Sequence, residues 1–324
     1  MDSSSVREVL KQPILVVGCG SIGKRHIRNL LELGALNVQA VDPRMEKAFR
    51  DKDECSHLVY CHHSLEEAFK YLSPIAALIC TPTSQHFDDM LTCFMEGVPN
   101  VFVEKPVSDA IEFEGKRIPA KTLVACNFRF TPGLRKVKEL IDSGAIGKVL
   151  SVRAQFGQYL PDQRENYQQS YAAHKSMGGG VILDRIHEFD YLTWLLGPIS
   201  DVKAFSGHLS NLEIDTEDVA EIICRFEGGA IGNIHLDYIR RDYTCNADFI
   251  GEKGEIKWDC YPGLNTVRYG GDGGWEHLSF PTPINDMYLA ELEHFLRVCA
   301  GEEESCNTVS DAYRLLGVVL KCKQ

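Results

Sequence analysis

The chain has 324 residues, 44% of them hydrophobic and 25% charged, with a formal net charge of −12. Such a length suits two domains of ordinary size, and the mixture excludes disordered and collagen-like classes. The excess of acid argues against nucleic-acid or anionic-membrane partners, and no apolar run approaches the roughly 18 residues of a spanning helix. Met1–Glu8 lacks a basic-then-apolar signal, and the 12 cysteines are scattered without a C-x-x-C pair. A cytoplasmic protein with reduced core thiols, and no metal site, is therefore the expectation.

Ile14–Val17 is a short apolar strand that runs into Gly18-Cys19-Gly20-Ser21-Ile22-Gly23, a G-x-G-x-x-G spacing followed at once by a helical pattern. The three glycines serve different ends: Gly18 allows a tight turn, Gly20 lets backbone approach a pyrophosphate, and Gly23 lets helix pack closely on strand. Ser21 and Ile22 open the helix, whose N-terminal N–H groups and dipole favour phosphate. A second strand, Asn37–Val41, ends in Asp42, 19 positions beyond Gly23, where the dinucleotide fingerprint needs a ribose-binding carboxylate. Asp42 favours NAD(H), and Arg44 two residues later leaves NADP(H) open.

Pro43-Arg44 opens a short helix to about Asp51, His57–Tyr60 reads as a brief strand, and Ser64 caps a helix with Glu66 and Glu67 in its first turn. Ile75–Cys80 is a continuous apolar strand ending in Thr81-Pro82-Thr83-Ser84-Gln85-His86, and a helix follows to about Gly97. Asn100–Val103 is the next strand, ending in Glu104-Lys105-Pro106. The alternation predicts a doubly wound parallel sheet, with right-handed crossovers bringing the glycine turn, Asp42, Thr81–His86 and Glu104–Pro106 to one crevice. Val107–Ala120 shows no amphipathic period, and Lys121–Cys126 resembles one more strand. The first domain is thus expected over residues 1–126.

Residues 127–324 read differently. Asn127–Pro132 leads into a helix to about Ser143, and a long helix is predicted over Ile182–Leu196. Strands are predicted over Val149–Phe156, Val202–Ser206, Val219–Phe226, Ala230–Tyr238, Ala247–Ile250 and Glu255–Asp259, with glycine-containing turns between them. Together they suggest a large open antiparallel sheet in an α+β domain that binds substrate. Two helices, about Asn285–Ala300 and Val309–Lys321, close the chain. Ile222, Cys224, Phe226, Ile231, Ile234 and Leu236 put apolar side chains on both faces of the sheet, which predicts a homo-oligomer, dimer or tetramer.

These motifs resemble the glucose–fructose oxidoreductase / inositol dehydrogenase family, Gfo/Idh/MocA. The carrying residues are Gly18–Gly23 with Arg25-His26, Glu104-Lys105-Pro106, Asn127-Phe128-Arg129-Phe130, and Gly178-Gly179-Gly180 with Asp184, His187, Asp190 and Gly197. The match spans nearly the whole chain, and the wording around His26 and His187 looks most like members of sugar and nonulosonate pathways. The resemblance implies a Rossmann domain plus a sheet domain and an NAD(P)-dependent dehydrogenase or reductase. A catalytically inactive dinucleotide-binding regulatory protein of the same fold is the alternative. Two features depart from the family pattern: the segment after the Glu-Lys-Pro triplet is not helix-like, and Asp184 stands three rather than four residues before His187.

Hydride transfer from a carbinol requires a base for the hydroxyl proton and a group that stabilises the developing alkoxide. Lys105, at a strand end in the cofactor crevice, suits the second role, and His187 suits proton shuttling at neutral pH. Glu104 either orients Lys105 or contacts cofactor. Asp184 either orients His187, holds substrate or starts its helix, and the spacing of Asp184, His187 and Asp190 predicts one shared polar face. Thr81, Pro82, Thr83 and His86 are cofactor candidates beside the glycine turn. Asn127, Arg129, Arg164 and Tyr167 are substrate candidates, with Tyr171, His174, Tyr238, Arg240 and Arg241 as weaker pocket-lining ones. The arginines suggest a ring hydroxyl or ketone on an anionic sugar, such as a nucleotide sugar or a nonulosonate relative.

Overall fold

The computed structural model describes residues 3–44, 59–111, 121–163 and 165–323, which divide into two compact units. One comprises Met1–Ala125 and Tyr288–Tyr313, the other Cys126–Met287 and Arg314–Gln324. A linear division after residue 126 misses the return of 288–313 to the first unit. The reason is packing: Leu292, Phe295, Leu296 and Cys299 of the helix Asp286–Ala300 bury their side chains in the same apolar cluster as Ile14, Val16 and Leu78.

The first unit holds six parallel strands: β1 (Ile14–Val17), β2 (Val38–Val41), β3 (Tyr60–His62), β4 (Ala76–Ile79), β5 (Asn100–Val103) and β6 (Lys121–Val124). Their order is β3-β2-β1-β4-β5-β6, the doubly wound arrangement that the alternating pattern predicts. Strands β1, β4 and β5 are buried along their whole length, as expected of a sheet covered on both faces. The strand order reverses between β1 and β4, and such a switch point is where ligands bind at the carboxyl ends of the strands. A helix not predicted from sequence, Ser4–Lys11, is capped by the Ser3 hydroxyl and inserts Val6, Val9 and Leu10 into the core. The expected helix after Arg44, the start of the strand near His57, and most of the segment Val107–Ala120 fall at residues 45–58 and 112–120, outside the described residues.

The second unit holds eight strands: β7 (Val149–Tyr159), β8 (Ile199–Gly207), β9 (Val219–Phe226), β10 (Ile231–Asp237), β11 (Ile239–Gly251), β12 (Glu255–Tyr261), β13 (Gly263–Gly271) and β14 (Gly274–Thr282). Their order is β14-β13-β12-β11-β7-β10-β9-β8. The expected antiparallel sheet is in fact mixed, because β10 runs parallel to β7. Burial separates the apolar residues expected on both faces. Ile222, Cys224, Phe226, Ile234 and Leu236 are all buried, whereas Ile231 is 48% exposed on the other face with Glu221, Ile223 and Arg225. The expected long helix is two helices, Val181–Asp184 and His187–Leu196, broken where Arg185 leaves helical geometry at φ −104° and ψ 36°.

On the outer face of this sheet His235 lies between two carboxylates, with Nδ1 2.6 Å from Glu221 and Nε2 2.8 Å from Asp237, while Arg240 Nε donates to the same Asp237 oxygen at 3.1 Å and its Nη2 lies 3.4 Å from His235 Nε2. The Asp237 hydrogen bond raises the His235 pKa, burial opposes it, and Glu221 adds to the rise. A folded value above the ordinary histidine range means the stabilisation is full below about pH 6.5 and is lost as pH rises through the raised value. Thermal melts should therefore show a stability loss as pH rises above the ordinary histidine range that His235→Asn removes; an unchanged pH dependence in that variant would contradict the assignment.

Candidate active site

In the first unit the strand ends carry a glycine turn with no slack. Gly18 sits at φ +92°, and a Cβ there would lie 2.8 Å from the backbone of Cys80 and Thr81. A Cβ on Gly23 would lie 1.9 Å from the Gly18 carbonyl oxygen, so the helix Ser21–Glu32 approaches the turn as only glycine permits. A Cβ on Gly20 would meet nothing within 4 Å: it would occupy the open space a pyrophosphate needs. Gly20 is also the N-cap of that helix and brings no capping side chain, which leaves the N-terminal N–H groups to a ligand. Asp42 is buried at the end of β2 and accepts the backbone N–H of Cys19 at 2.9 Å and that of Arg44 at 2.8 Å. The exposed Arg44 guanidinium stands 3.6 Å from the same carboxylate.

The ends of β4 and β5 are fastened to each other. His86 Nδ1 lies 2.7 Å from the Pro106 carbonyl and Nε2 2.8 Å from the Thr81 carbonyl. Burial lowers its pKa, against the upward pull of both carbonyls. Both ring nitrogens face backbone carbonyls, and a neutral imidazole donates to one of them, so His86 braces the two loops. Thr81 donates its hydroxyl to Asp89, and Thr83 is buried at the start of the turn Thr83–Gln85 behind Pro82. Glu104 is buried, accepts the ring N–H of His26 at 2.8 Å, and takes the Lys105 backbone N–H at 3.2 Å on its other oxygen. Burial pushes its carboxyl up, but the His26 hydrogen bond and the nearby charges of His26, Lys105 and His86 prevail and hold it below the ordinary range. Lys105 is half-buried and is joined to Pro106 by a cis peptide bond.

In the second unit the motif Asn127–Phe130 forms a 3-10 turn that grips the helix His187–Leu196. Phe128 stacks on the buried His187 imidazole at 4.7 Å between ring centres and 16° between planes. Arg129 holds Asp190 with two hydrogen bonds, Nε at 2.9 Å and Nη2 at 2.6 Å; Asp190 is buried and Arg129 is partly so. Asp190 therefore belongs to Arg129, and the predicted shared face of Asp184, His187 and Asp190 does not form, since the helix breaks between the first two. Asp184 accepts hydrogen bonds from the hydroxyls of Tyr171 and, at 2.9 Å, Tyr238. Sequence reasoning marks those tyrosines only as pocket lining; their role as paired donors to a buried carboxylate is visible only in three dimensions. The Tyr167 hydroxyl accepts the Glu213 N–H at 3.2 Å and Asn127 is buried at the head of the motif. Arg164 lies outside the described residues.

Residues 13–118 match the family model described as an oxidoreductase family with an NAD-binding Rossmann fold, and residues 134–257 match the GFO/IDH/MocA C-terminal domain. The chain belongs to the Gfo/Idh/MocA family. Among its Gfo/Idh/MocA relatives, a myo-inositol 2-dehydrogenase of Thermotoga maritima is 28% identical over 305 residues, covering 89% of this chain and 88% of that protein. A scyllo-inositol 2-dehydrogenase (NAD(+)) of Bacillus subtilis is 28% identical over 302 residues, covering 86% and 84%. Levoglucosan dehydrogenase in complex with NADH has the same fold, with a TM-score of 0.82, 18% identity and 97% coverage of each chain. The protein is accordingly an NAD-binding sugar or polyol oxidoreductase of this family. Among the described residues, no helix is long and apolar enough to cross a membrane and no cluster of three or more His, Cys, Asp or Glu forms a metal site.

The glycine turn and Asp42 fit this cofactor: the turn would frame the pyrophosphate and the carboxylate would accept the adenosine ribose hydroxyls. Because Asp42 is buried and oriented by two backbone N–H groups, it should repel a 2′-phosphate more than the exposed Arg44 attracts one. Calorimetry should show NAD(H) binding at least about tenfold tighter than NADP(H), and Asp42→Ser should narrow or reverse that ratio. Tighter binding of NADP(H) by the unaltered protein would show that Arg44 prevails.

Proposed function

We propose that the protein oxidises a ring secondary hydroxyl of a neutral cyclic polyol or sugar, or reduces the corresponding ketone, with NAD(H). Bound NAD would accept or return the hydride. Lys105 hydrogen-bonds the reacting oxygen and stabilises its developing charge, and Glu104, held ionised by His26, fixes the Lys105 backbone. His187 takes the hydroxyl proton; its stacking on Phe128 and the Arg129–Asp190 clamp one turn later limit its motion. Asp184, presented by two phenol hydroxyls, accepts hydrogen bonds from substrate hydroxyls.

The observation that carries the choice of a neutral substrate is the engagement of three of the four arginines that, in sequence, suggest an anionic one, the fourth, Arg164, lying outside the described residues. Arg129 is engaged by Asp190, Arg240 by Asp237 at 3.1 Å, and Arg241 lies over the Tyr159 ring at 3.4 Å. A guanidinium whose fork already binds a carboxylate has less to offer a second anion. The relatives named as inositol dehydrogenases point the same way. Assembly belongs to the same reading: Phe205, Ile223 and Ile231 stand exposed on one face of neighbouring strands β8, β9 and β10, and a second copy of the chain would cover them. Light scattering at micromolar concentration should give a dimer or tetramer, and a monomeric mass would contradict it.

A further inference from the structure

Cys19 fills the variable position inside the Gly18–Gly20 turn, and Cys61 lies near the end of β3. Both are buried free thiols and belong to one apolar cluster. The Cys19 Sγ lies 4.0 Å from the Val41 carbonyl oxygen and the Cys61 Sγ lies 3.7 Å from that of His62. Val41 and His62 are register partners across β2 and β3, so the two sulfurs address adjacent carbonyls on adjacent strands. We propose that Cys19 and Cys61 are an oxidisable pair, and that closing them into a disulfide weakens NAD binding at the glycine turn.

The two thiols are electrically unequal. The interaction of the two thiols pushes the Cys19 thiol up, and burial adds to it. The same interaction lowers the Cys61 thiol, against burial, with help from the Asp42 backbone N–H. Cys61 is therefore the nucleophile and Cys19 the resolving thiol. The Cys61 thiolate attacks one oxygen of a peroxide; the O–O bond breaks, leaving a sulfenic acid and hydroxide, which takes up a proton. The Cys19 sulfur then attacks the Cys61 sulfur; the S–S bond forms, the S–O bond breaks, and water leaves with the Cys19 proton. Two thiols have supplied two electrons and reduced one hydrogen peroxide to two waters.

The consequence for the cofactor follows from the tightness of the turn. Gly18 is hemmed in by the Cys80 and Thr81 backbone, Gly23 abuts Gly18, and the Cys19 N–H is held by Asp42. Drawing Cys19 toward β3 moves the backbone that frames the pyrophosphate and disturbs the ribose-binding carboxylate together. Conversely, a cofactor seated on the exposed Gly20 covers the approach to Cys19.

The test treats the full chain, free of NAD, with hydrogen peroxide, alkylates the remaining thiols and maps the peptides. The expected product is a Cys19–Cys61 cross-link two hydrogens lighter. NAD affinity should fall by about tenfold or more in calorimetry, return with dithiothreitol, and the cross-link should form more slowly with NAD present. Cys61→Ser, or Cys61→Ala should the serine not fold, should bind NAD as the reduced protein does and keep that affinity under peroxide. Oxidation confined to exposed Cys306, a Cys19–Cys80 bridge in place of the named pair, or a complete Cys19–Cys61 cross-link with unchanged NAD affinity would each overturn the proposal.

Discussion

Lys105→Met and His187→Asn are each expected to lower kcat about a hundredfold or more, the scale of lost acid–base or electrostatic help, with little change in NAD affinity. The charge that Lys105 stabilises exists only as the hydride leaves, and His187 receives a proton only in the same step, so neither contributes comparably to ground-state binding. Glu104→Gln provides the contrast. It keeps an acceptor for the Lys105 backbone but removes the charge beside His26, and a smaller kcat loss with a shifted pH profile is expected. A His187→Asn enzyme that retained full kcat would reduce His187 to a packed core residue on Phe128.

The second large effect is on stability. Arg129→Ala would leave Asp190 buried without its two charged hydrogen bonds, and breaking such a pair from one side costs about 3–5 kcal/mol. Differential scanning calorimetry should record a fall in melting temperature on the order of 10 °C. Arg129→Lys should recover only part, because an ammonium cannot reproduce the planar fork. Replacing both partners, Arg129→Met with Asp190→Leu, should be far less damaging than Arg129→Ala alone, since no orphaned charge remains. A melting temperature unmoved by Arg129→Ala would mean that Asp190 finds another donor and that the motif does not brace the His187 helix.

The difference between what the sequence shows and what it hides is physical. The glycine turn is legible because backbone crowding leaves no other residue possible at Gly18 or Gly23, and Asp42 because it must follow the second strand. The break at Arg185 is hidden, since Val181, Ile182, Leu183, Ile186, Phe189 and Leu192 are all buried and their spacing mimics one continuous helix. Strands β13 and β14 are hidden because glycines and exposed polar residues replace the alternating pattern: most of β14 faces solvent. The parallel pairing of β7 with β10 joins segments far apart in the chain, and local patterning cannot encode it. For the site, residue type reveals Lys105, Asp184 and His187 as chemically able, while partners decide their use. Arg129 reads from sequence as an anion ligand and is in fact the clamp on Asp190; the bridge that His86 makes between the Thr81 and Pro106 loops has no local signal in the sequence.

The central claim is NAD-dependent redox chemistry at a ring carbinol of a neutral substrate, and NADH fluorescence tests it most directly. The purified protein would be given NAD with a panel of cyclic polyols, neutral sugars, sugar acids and nucleotide sugars. The predicted result is NADH formation with a neutral cyclic polyol or sugar, slowed by deuterium on the reacting ring carbon and abolished to near background in Lys105→Met. Turnover confined to the sugar acids or nucleotide sugars, or no turnover with any of them while NAD still binds, would contradict it.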